Sequence, residues 1–246
     1  WNGQEWTTAS ISGIEGASSE LDDVLVLPSG EVWAAGFADQ APLIVRNDRS
    51  CGCSIEFADV PPDNAFHTYV ICLACRQIVS GYPCGGPGEP CDPLGNAYYR
   101  PNAQVTRGQL AKIVSLSGLS AQLPPDAHSF QDVPPGSPFW LYVEHMKAYG
   151  FVLGYPCGGP GEPCLPPENR PYYRPGASAT RGQIAKIVAS ASQLTGYPPE
   201  TQQTFEDVPP GSTFWEWVES LAGYGVIGGY PCGAPGEPCG PENRPY

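Results

Sequence analysis

The undecapeptide GYPCGGPGEPC occupies residues 81–91 and 154–164 and returns as GYPCGAPGEPC at 229–239. Its surroundings recur with it. FADVPPDNAF, FQDVPPGSPFW and FEDVPPGSTFW begin at Phe57, Phe130 and Phe205, 73 and then 75 residues apart, and in each copy the first loop cysteine follows 27 residues later. A period this long, with its own turn chemistry in every copy, marks a tandem array of one supersecondary unit. Gly and Pro, thirty of each, would elsewhere suggest a low-complexity chain. Here they hold fixed offsets among Trp, Tyr and Cys, so they read as turn residues of an ordered repeat.

The repeats divide the chain into a short module at 1–50, a first repeat at 51–120, a second at 121–196 and a third at 197–246. The third repeat stops at Tyr246, aligned with Tyr172, so a second helix is expected to be absent from it and both ends are expected to fall within a module. A net charge of −13 with three lysines (Lys112, Lys147 and Lys186) argues against nucleic acid as a partner, because phosphate binding relies on clustered Lys and Arg. No apolar run approaches the length of a membrane span. Ten cysteines, six of them in Cys-x6-Cys loops, fit an oxidising, extracellular setting.

In the first module, apolar-rich segments at Leu21–Leu27, Val32–Phe37 and Pro42–Val45, with a Ser29-Gly30 turn, predict three strands, and Glu5–Thr8 predicts a fourth. The segment GEVWAAG at 30–36 resembles the second strand of a β-propeller blade. That resemblance covers about 50 residues and implies an isolated blade with open edges. Such a unit is expected to be either a piece of a longer protein or covered by another chain.

Each repeat opens with Phe-x-Asp-Val-Pro-Pro, extended because proline restrains itself and its predecessor. A helix is expected to follow, N-capped at Asn64, Ser137 and Ser212, with Pro138 at the first helical position of the second copy. Its apolar face there is Phe139, Tyr142, Val143, Met146 and Tyr149. Gly150 and Gly225 are placed to end the helix, whereas Gln77 implies a different exit in the first copy. The turns YYRPNAQVTRGQLAKIV (98–114) and YYRPGASATRGQIAKIV (172–188) predict second helices. Thr106 with Gln109, and Thr180 with Gln183, match a capping box.

At these motifs the chain resembles the S-layer homology repeat. That family has an F-x-D-V start, an aromatic about nine residues later, a glycine-tyrosine turn, an R-P segment and a second helix opening T-R-A-E. The resemblance covers about 190 residues and departs from the family in three respects. T-R-A-E is T-R-G-Q, the glycine turn is enlarged by a cysteine-closed loop, and His67 stands where the other copies have Trp140 and Trp215. It implies a helical array that holds a cell-wall polysaccharide. The expected fold class is therefore multidomain α and β: a small antiparallel, propeller-blade-like sheet followed by a disulfide-stapled helical array of this type.

Pairing Cys84 with Cys91, Cys157 with Cys164 and Cys232 with Cys239 closes loops of eight residues. Cys51, Cys53, Cys72 and Cys75 allow either two disulfides or a four-thiolate zinc site. Arg107 and Arg181 lie at helix N-termini, which favour anions, and the resemblance implies the same arginines, beside Thr106 and Thr180, as contacts for an anionic wall sugar. The alternative is a plain capping box with a solvated arginine. Arg100 and Arg174 are expected to pair with Asp59, Asp132 or Asp207, or to stack on tyrosine. Trp140 and Trp215 read as core or as an aromatic floor for a sugar ring. Glu89, Glu162 and Glu237 read as solvated loop tips. His67, His128 and His145 fall at unrelated offsets, and no nucleophile–base pattern recurs, so no enzyme and no cofactor are expected.

The resulting expectation is a non-enzymatic extracellular structural protein that attaches to, or forms, a cell-surface layer. Its partner is a cell-wall polysaccharide or copies of itself in an oligomer, filament or sheet. A non-catalytic anchoring part of a secreted glycan-active enzyme is the third reading.

Overall fold

The computed structural model describes the backbone at 19–26, 32–38 and 41–47, and residues 53–119, 121–124, 126–194, 196 and 202–246 in full. The chain divides into two units, Trp1–Gly52 and Cys53–Tyr246. In the first, the segments β1 (Ser19–Val26), β2 (Val32–Ala38) and β3 (Ala41–Asn47) pair antiparallel in that order. The β1–β2 register shifts between Leu21 and Asp23, and β2–β3 runs unbroken from Val32↔Asn47 to Ala38↔Ala41. The strand expected at Glu5–Thr8 lies outside the described residues.

Among its described residues the second unit has five short helices: α1 (His67–Cys75), α2 (Arg107–Leu116), α3 (Trp140–Ala148), α4 (Arg181–Ala191) and α5 (Trp215–Gly223). Between them run turns and isolated bridges. These elements correct the expected fold class. The architecture with a packed core is helical, and no propeller-blade-like sheet is recognised. A blade needs four strands closed against neighbouring blades, whereas the 19–47 segments amount to two successive hairpins. The GEVWAAG segment that suggested a blade specifies a strand and its local pairing and no more.

Helices α2 and α4 start as their sequences dictate. Thr106 and Thr180 accept from the amides of Gln109 and Gln183, whose side chains return to the threonine amides, forming complete capping boxes. Helices α1, α3 and α5 depart from expectation. Their N-caps are Phe66, Phe139 and Phe214, none with a side-chain cap. Asn64, Ser137 and Ser212 sit one turn earlier, and their carbonyls accept from His67, Trp140 and Trp215 at 2.9, 3.0 and 3.1 Å. The Pro-Pro segment leads into a tight turn first, so Pro138 precedes the helix and the cap passes to the backbone.

At the other end, Gly150 and Gly225 adopt φ of 74° and 68°, and Gln77 adopts 59° in the same place. The hydrogen bonds match as well. Gln77 N–H reaches Ala74 O at 2.8 Å and Ile78 N–H reaches Leu73 O at 2.9 Å; Gly150 reaches Lys147 O and Phe151 reaches Met146 O at 3.0 Å each. The first copy therefore makes the same left-handed exit with a residue poorly suited to it.

The core forms where each second helix packs on the first helix of the next repeat. Leu110, Ala111 and Val114 of α2 meet Val143 and Met146 of α3, with Phe130, Val133 and Tyr173 completing the cluster. Ala185 and Ala189 of α4 meet Val218 and Leu221 of α5 around Phe205. Tyr149, expected on the buried face of α3, is instead 46% exposed, because the helix has reached its C-cap there. The T-R-G-Q departure has its cause in these contacts. A Cβ on Gly108 would lie 2.6 Å from the Phe139 ring, and one on Gly182 would lie 2.4 Å from that of Phe214. Glycine costs about 1 kcal/mol within a helix, and close approach to the neighbouring phenylalanine requires it here.

The three loop cystines form as expected, Cys84–Cys91, Cys157–Cys164 and Cys232–Cys239, each with Cα atoms 5.0 Å apart. Cys53 bonds Cys75, and Cys72 is also disulfide-bonded. Cys51 lies outside the described residues. The zinc alternative falls with these bridges, since none of the described cysteines remains a thiolate.

Two outcomes follow from these features. Gln77→Gly is expected to stabilise the chain by about 0.5–1 kcal/mol, as relief of left-handed strain outweighs the added unfolded-state entropy; chemical denaturation measures it. Replacing Cys157 and Cys164 together by serine removes an eight-residue crosslink, for an expected loss of about 2.5 kcal/mol, read as a lower denaturant midpoint.

Candidate functional site

The site is assembled at the junctions between repeats, and its base is the Tyr-Arg-Pro turn. Tyr98 exchanges both backbone hydrogen bonds with Tyr82 at 2.8 Å, and Tyr172 does so with Tyr155 at 2.8 Å. The next two amides are held by a single carboxylate. Asp59 accepts from Tyr99 and Arg100 N–H at 2.8 and 2.6 Å, and Asp132 accepts from Tyr173 and Arg174 at 2.7 and 2.6 Å. Arg100 and Arg174 are consequently left-handed, with φ of 64° and 61°. The turn sends the tyrosine inward, where Phe57–Tyr99 and Phe130–Tyr173 ring centroids lie 5.7 and 5.4 Å apart.

The arginine swings outward. Arg100 forms a two-pronged pair with Glu89 at 2.6 and 2.8 Å and lies 3.9 Å above the Tyr82 ring. Arg174 repeats this with Glu162 at 2.7 and 2.8 Å and Tyr155 at 3.9 Å. Hydrogen bonding to the guanidinium holds the Glu89 and Glu162 carboxyls below their ordinary values. The expectation is thus met in its tyrosine alternative and corrected in its aspartate one: Asp59 and Asp132 bind backbone, and Glu89 and Glu162, expected to be solvated, are the ion-pair partners.

Arg107 and Arg181 share a sequence setting but not an environment. Arg107 is 8% exposed. Its Nε donates to Tyr173 O at 2.8 Å and its Nη1 to the Tyr155 hydroxyl at 3.3 Å, and the guanidinium lies 4.7 Å from the Tyr173 ring centre and 5.0 Å from that of Tyr155. The first amides of α2 are also engaged: Arg107 N–H reaches Ala177 O at 2.8 Å and Gly108 N–H reaches Pro175 O at 2.9 Å. Arg181 is exposed. It donates to the Tyr230 hydroxyl at 2.9 Å and sits 4.8 Å from that ring centre.

Gln109 and Gln183 do more than cap, since their amides donate to the hydroxyls of Tyr82 at 2.7 Å and Tyr155 at 3.0 Å. Tyr155 therefore receives both a glutamine from its own repeat and an arginine from the preceding one. Trp140 and Trp215 are half-buried, with indole N–H groups donating to Ala127 O and Gln202 O at 2.7 and 2.8 Å, and Trp140 packs on the main core.

Two carboxylates escaped the sequence reading. Glu144, 3% exposed, accepts from Ser129 N–H and Oγ–H at 2.8 and 2.6 Å. Glu219, fully enclosed, accepts from Thr204 N–H at 2.7 Å. Their signal is a glutamate inside an otherwise apolar helix face, aligned with Ile71 of the first copy.

Beside Arg181 a groove of about 640 Å³ opens between α4 and the third repeat, lined mostly by apolar residues with Asp207 at its edge. Beside Phe130 the corresponding space is occupied by the Tyr173 ring, which is 0% exposed.

Burial pushes the Tyr173 hydroxyl up to about 12 from its ordinary 10.0. An acid with a raised folded pKa contributes stability below its unfolded value and loses it as pH rises through the folded one. Melting temperature is therefore expected to fall between pH 10 and about 12, with a loss of about 2–3 kcal/mol from this group. Tyr173→Phe is expected to flatten that fall while costing about 1 kcal/mol at neutral pH through the lost bond to Arg107 O. Thermal melts of both forms across this range check it. Compared with known proteins, the chain matches no protein-family model and no curated protein.

Proposed function

We propose that the chain is a non-enzymatic structural protein of the extracellular surface, attaching to an anionic cell-wall polysaccharide through repeats that resemble the S-layer homology type. The observation that carries this reading is the use to which the recurring motif is put. In the first two repeats the FxDV aspartate holds the backbone amides of the Tyr-Arg-Pro turn, and the arginine of that turn pairs with the glutamate of the cystine loop. The motif builds a rigid, covalently closed turn, which suits a protein that holds a partner under extracellular conditions. The disulfides fit an oxidising compartment, and among the described residues no helix is long and apolar enough to cross a membrane.

Within this reading Arg181 is the glycan contact. Its guanidinium is exposed at a helix N-terminus and retains donors beyond the one given to Tyr230, where a carboxylate on a sugar would be favoured. Arg107 acts as a positioning residue that ties the first two repeats together. Trp140 packs on the core and Trp215 ties its indole N–H to Gln202 O, so neither is assigned to a sugar floor. Co-sedimentation with purified cell-wall polysaccharide tests the proposal. Arg181→Ala is expected to weaken retention about tenfold or more, the scale of a lost charge-assisted hydrogen bond. Retention unchanged by the substitution removes Arg181 from the site, and no retention by the unaltered chain ends the glycan reading.

Self-assembly into a filament or sheet is the second reading, favoured by the apolar groove beside Phe205. Electron microscopy of native material distinguishes it: ordered arrays support it, and monodisperse particles at high concentration oppose it.

A further inference from the structure

The first helix of each repeat is tied to the segment that leads into it, and the copies do this with different chemistry. In the second repeat the ties are hydrogen bonds. The Trp140 indole donates to Ala127 O at 2.7 Å, and the buried Glu144 carboxylate accepts from Ser129 N–H and Oγ–H at 2.8 and 2.6 Å. The third repeat keeps both ties, with Trp215 donating to Gln202 O at 2.8 Å and Glu219 accepting from Thr204 N–H at 2.7 Å. Each of these helices also packs on a second helix, α3 on α2 and α5 on α4. Ser115 Oγ and His145 Nδ1 are hydrogen-bonded at 2.8 Å across the α2–α3 contact.

Helix α1 lacks all three. His67 stands in place of the tryptophan and Ile71 in place of the glutamate. Among the described residues α1 packs on no other helix, and its core is the small cluster of Phe57, Val60, Val70 and Ala74. Of the five helices described, it alone carries cysteines. Cys72 and Cys75 take the positions of His145 and Ala148 in α3 and of Ser220 and Gly223 in α5. Both are disulfide-bonded, and the partner of Cys75 is Cys53. Cys53 adjoins residues 54–56, which align with 127–129 and 202–204. The cystine thus spans the same two segments that tryptophan and glutamate join in the later repeats.

We infer that the α1 cystines are a redox-sensitive latch: a dithiol reductant that opens them unfolds α1 and leaves the first helices of the second and third repeats folded. A helix of nine residues does not hold itself in water, and α1 buries only Val70 and Ala74 of its own side chains. Cys53 is exposed and Cys75 half-buried, so a thiolate reaches the bridge. The Cys53–Cys75 bond takes two electrons and two protons to give two thiols, while the dithiol closes to its own disulfide. A disulfide oxidant reverses the exchange. The ties of α3 and α5 contain no sulfur, so the same reductant leaves them in place. Opening α1 uncovers Phe57 and Val60, which are 5% and 2% exposed in the closed form.

Hydrogen exchange of the full chain, read peptide by peptide in a mass spectrometer during stepwise addition of dithiothreitol, tests the latch. Amides of 67–75 are expected to exchange about a hundredfold faster once Cys53 and Cys75 become alkylatable, the scale of a crosslink of this span. They are expected to regain protection with oxidised glutathione, and amides of 140–148 and 215–223 to stay protected throughout. Two variants separate the latch from the loop cystines, which the same reductant opens. Joint replacement of Cys51, Cys53, Cys72 and Cys75 by serine leaves every loop bridge intact and is expected to expose 67–75 without reductant. Cys84→Ser with Cys91→Ser is expected to leave 67–75 protected. The inference is overturned if 67–75 stay protected in the reduced chain or in the fourfold variant. It is equally overturned if α3 and α5 open together with α1, or if loss of the Cys84–Cys91 bridge alone exposes α1.

Discussion

The single carboxylate that takes two consecutive amides at the Tyr-Arg-Pro turn governs the geometry around it. Asp132 holds Tyr173 and Arg174 N–H at 2.7 and 2.6 Å, and charge-assisted bonds of this kind are about twice as strong as neutral ones. They offset the roughly 1–2 kcal/mol that a non-glycine residue costs in the left-handed region. Because the turn is made there, adjacent residues leave in opposite directions. Tyr173 goes into the core against Phe130, and Arg174 goes out onto Tyr155 and Glu162. Remove the clamp and both contacts lose their common origin. Asp59 does the same for Tyr99 and Arg100, so the device belongs to the repeat and not to one site.

The cystine loop supplies the other half of that ion pair. A segment such as CGGPGEPC has no side chains with which to pack, so its shape comes from the bridge and from a short ladder. Gly158 N–H reaches Glu162 O at 2.7 Å and Glu162 N–H reaches Gly159 O at 3.0 Å. This fixes the glutamate backbone, and the side chain then meets an arginine that the aspartate clamp has already aimed. The covalent closure and the carboxylate clamp are thus two ends of one construction, with the ion pair as its join. An exposed pair assembled from mobile parts contributes little; here both side chains leave backbones that are already ordered.

Much of the helical unit was legible in the sequence because its signals are local. Thr106 and Thr180 cap as Thr-x-x-Gln predicts, the loop cysteines pair within eight residues, and Gly150 and Gly225 end their helices. Signals that depend on distant partners were not legible. Glu89 and Glu162 look solvated in a loop rich in Gly and Pro, because nothing nearby shows that an arginine about a dozen residues later will fold back onto them. Gly108 and Gly182 look like defects in a helix until Phe139 and Phe214 arrive from the next repeat. The propeller-blade reading failed for the opposite reason: the apolar-rich Val32–Phe37 is a true local signal for a strand but says nothing of how many strands a sheet will have.

The two T-R-G-Q helices show how a neighbour decides what a residue does. Arg107 and Arg181 share the Thr-Arg-Gly-Gln opening, a complete capping box and a tyrosine hydroxyl one repeat onward. Arg107 is enclosed because it faces the Tyr-Arg-Pro turn of the second repeat, whose Tyr173 carbonyl and ring complete its shell, whereas Arg181 is exposed. In repeat architectures the state of a unit is set by its own sequence and by its nearest neighbours, and here the nearest-neighbour contribution is large enough to convert an exposed cation into a structural one. The chemical availability of this arginine is therefore a property of the junction.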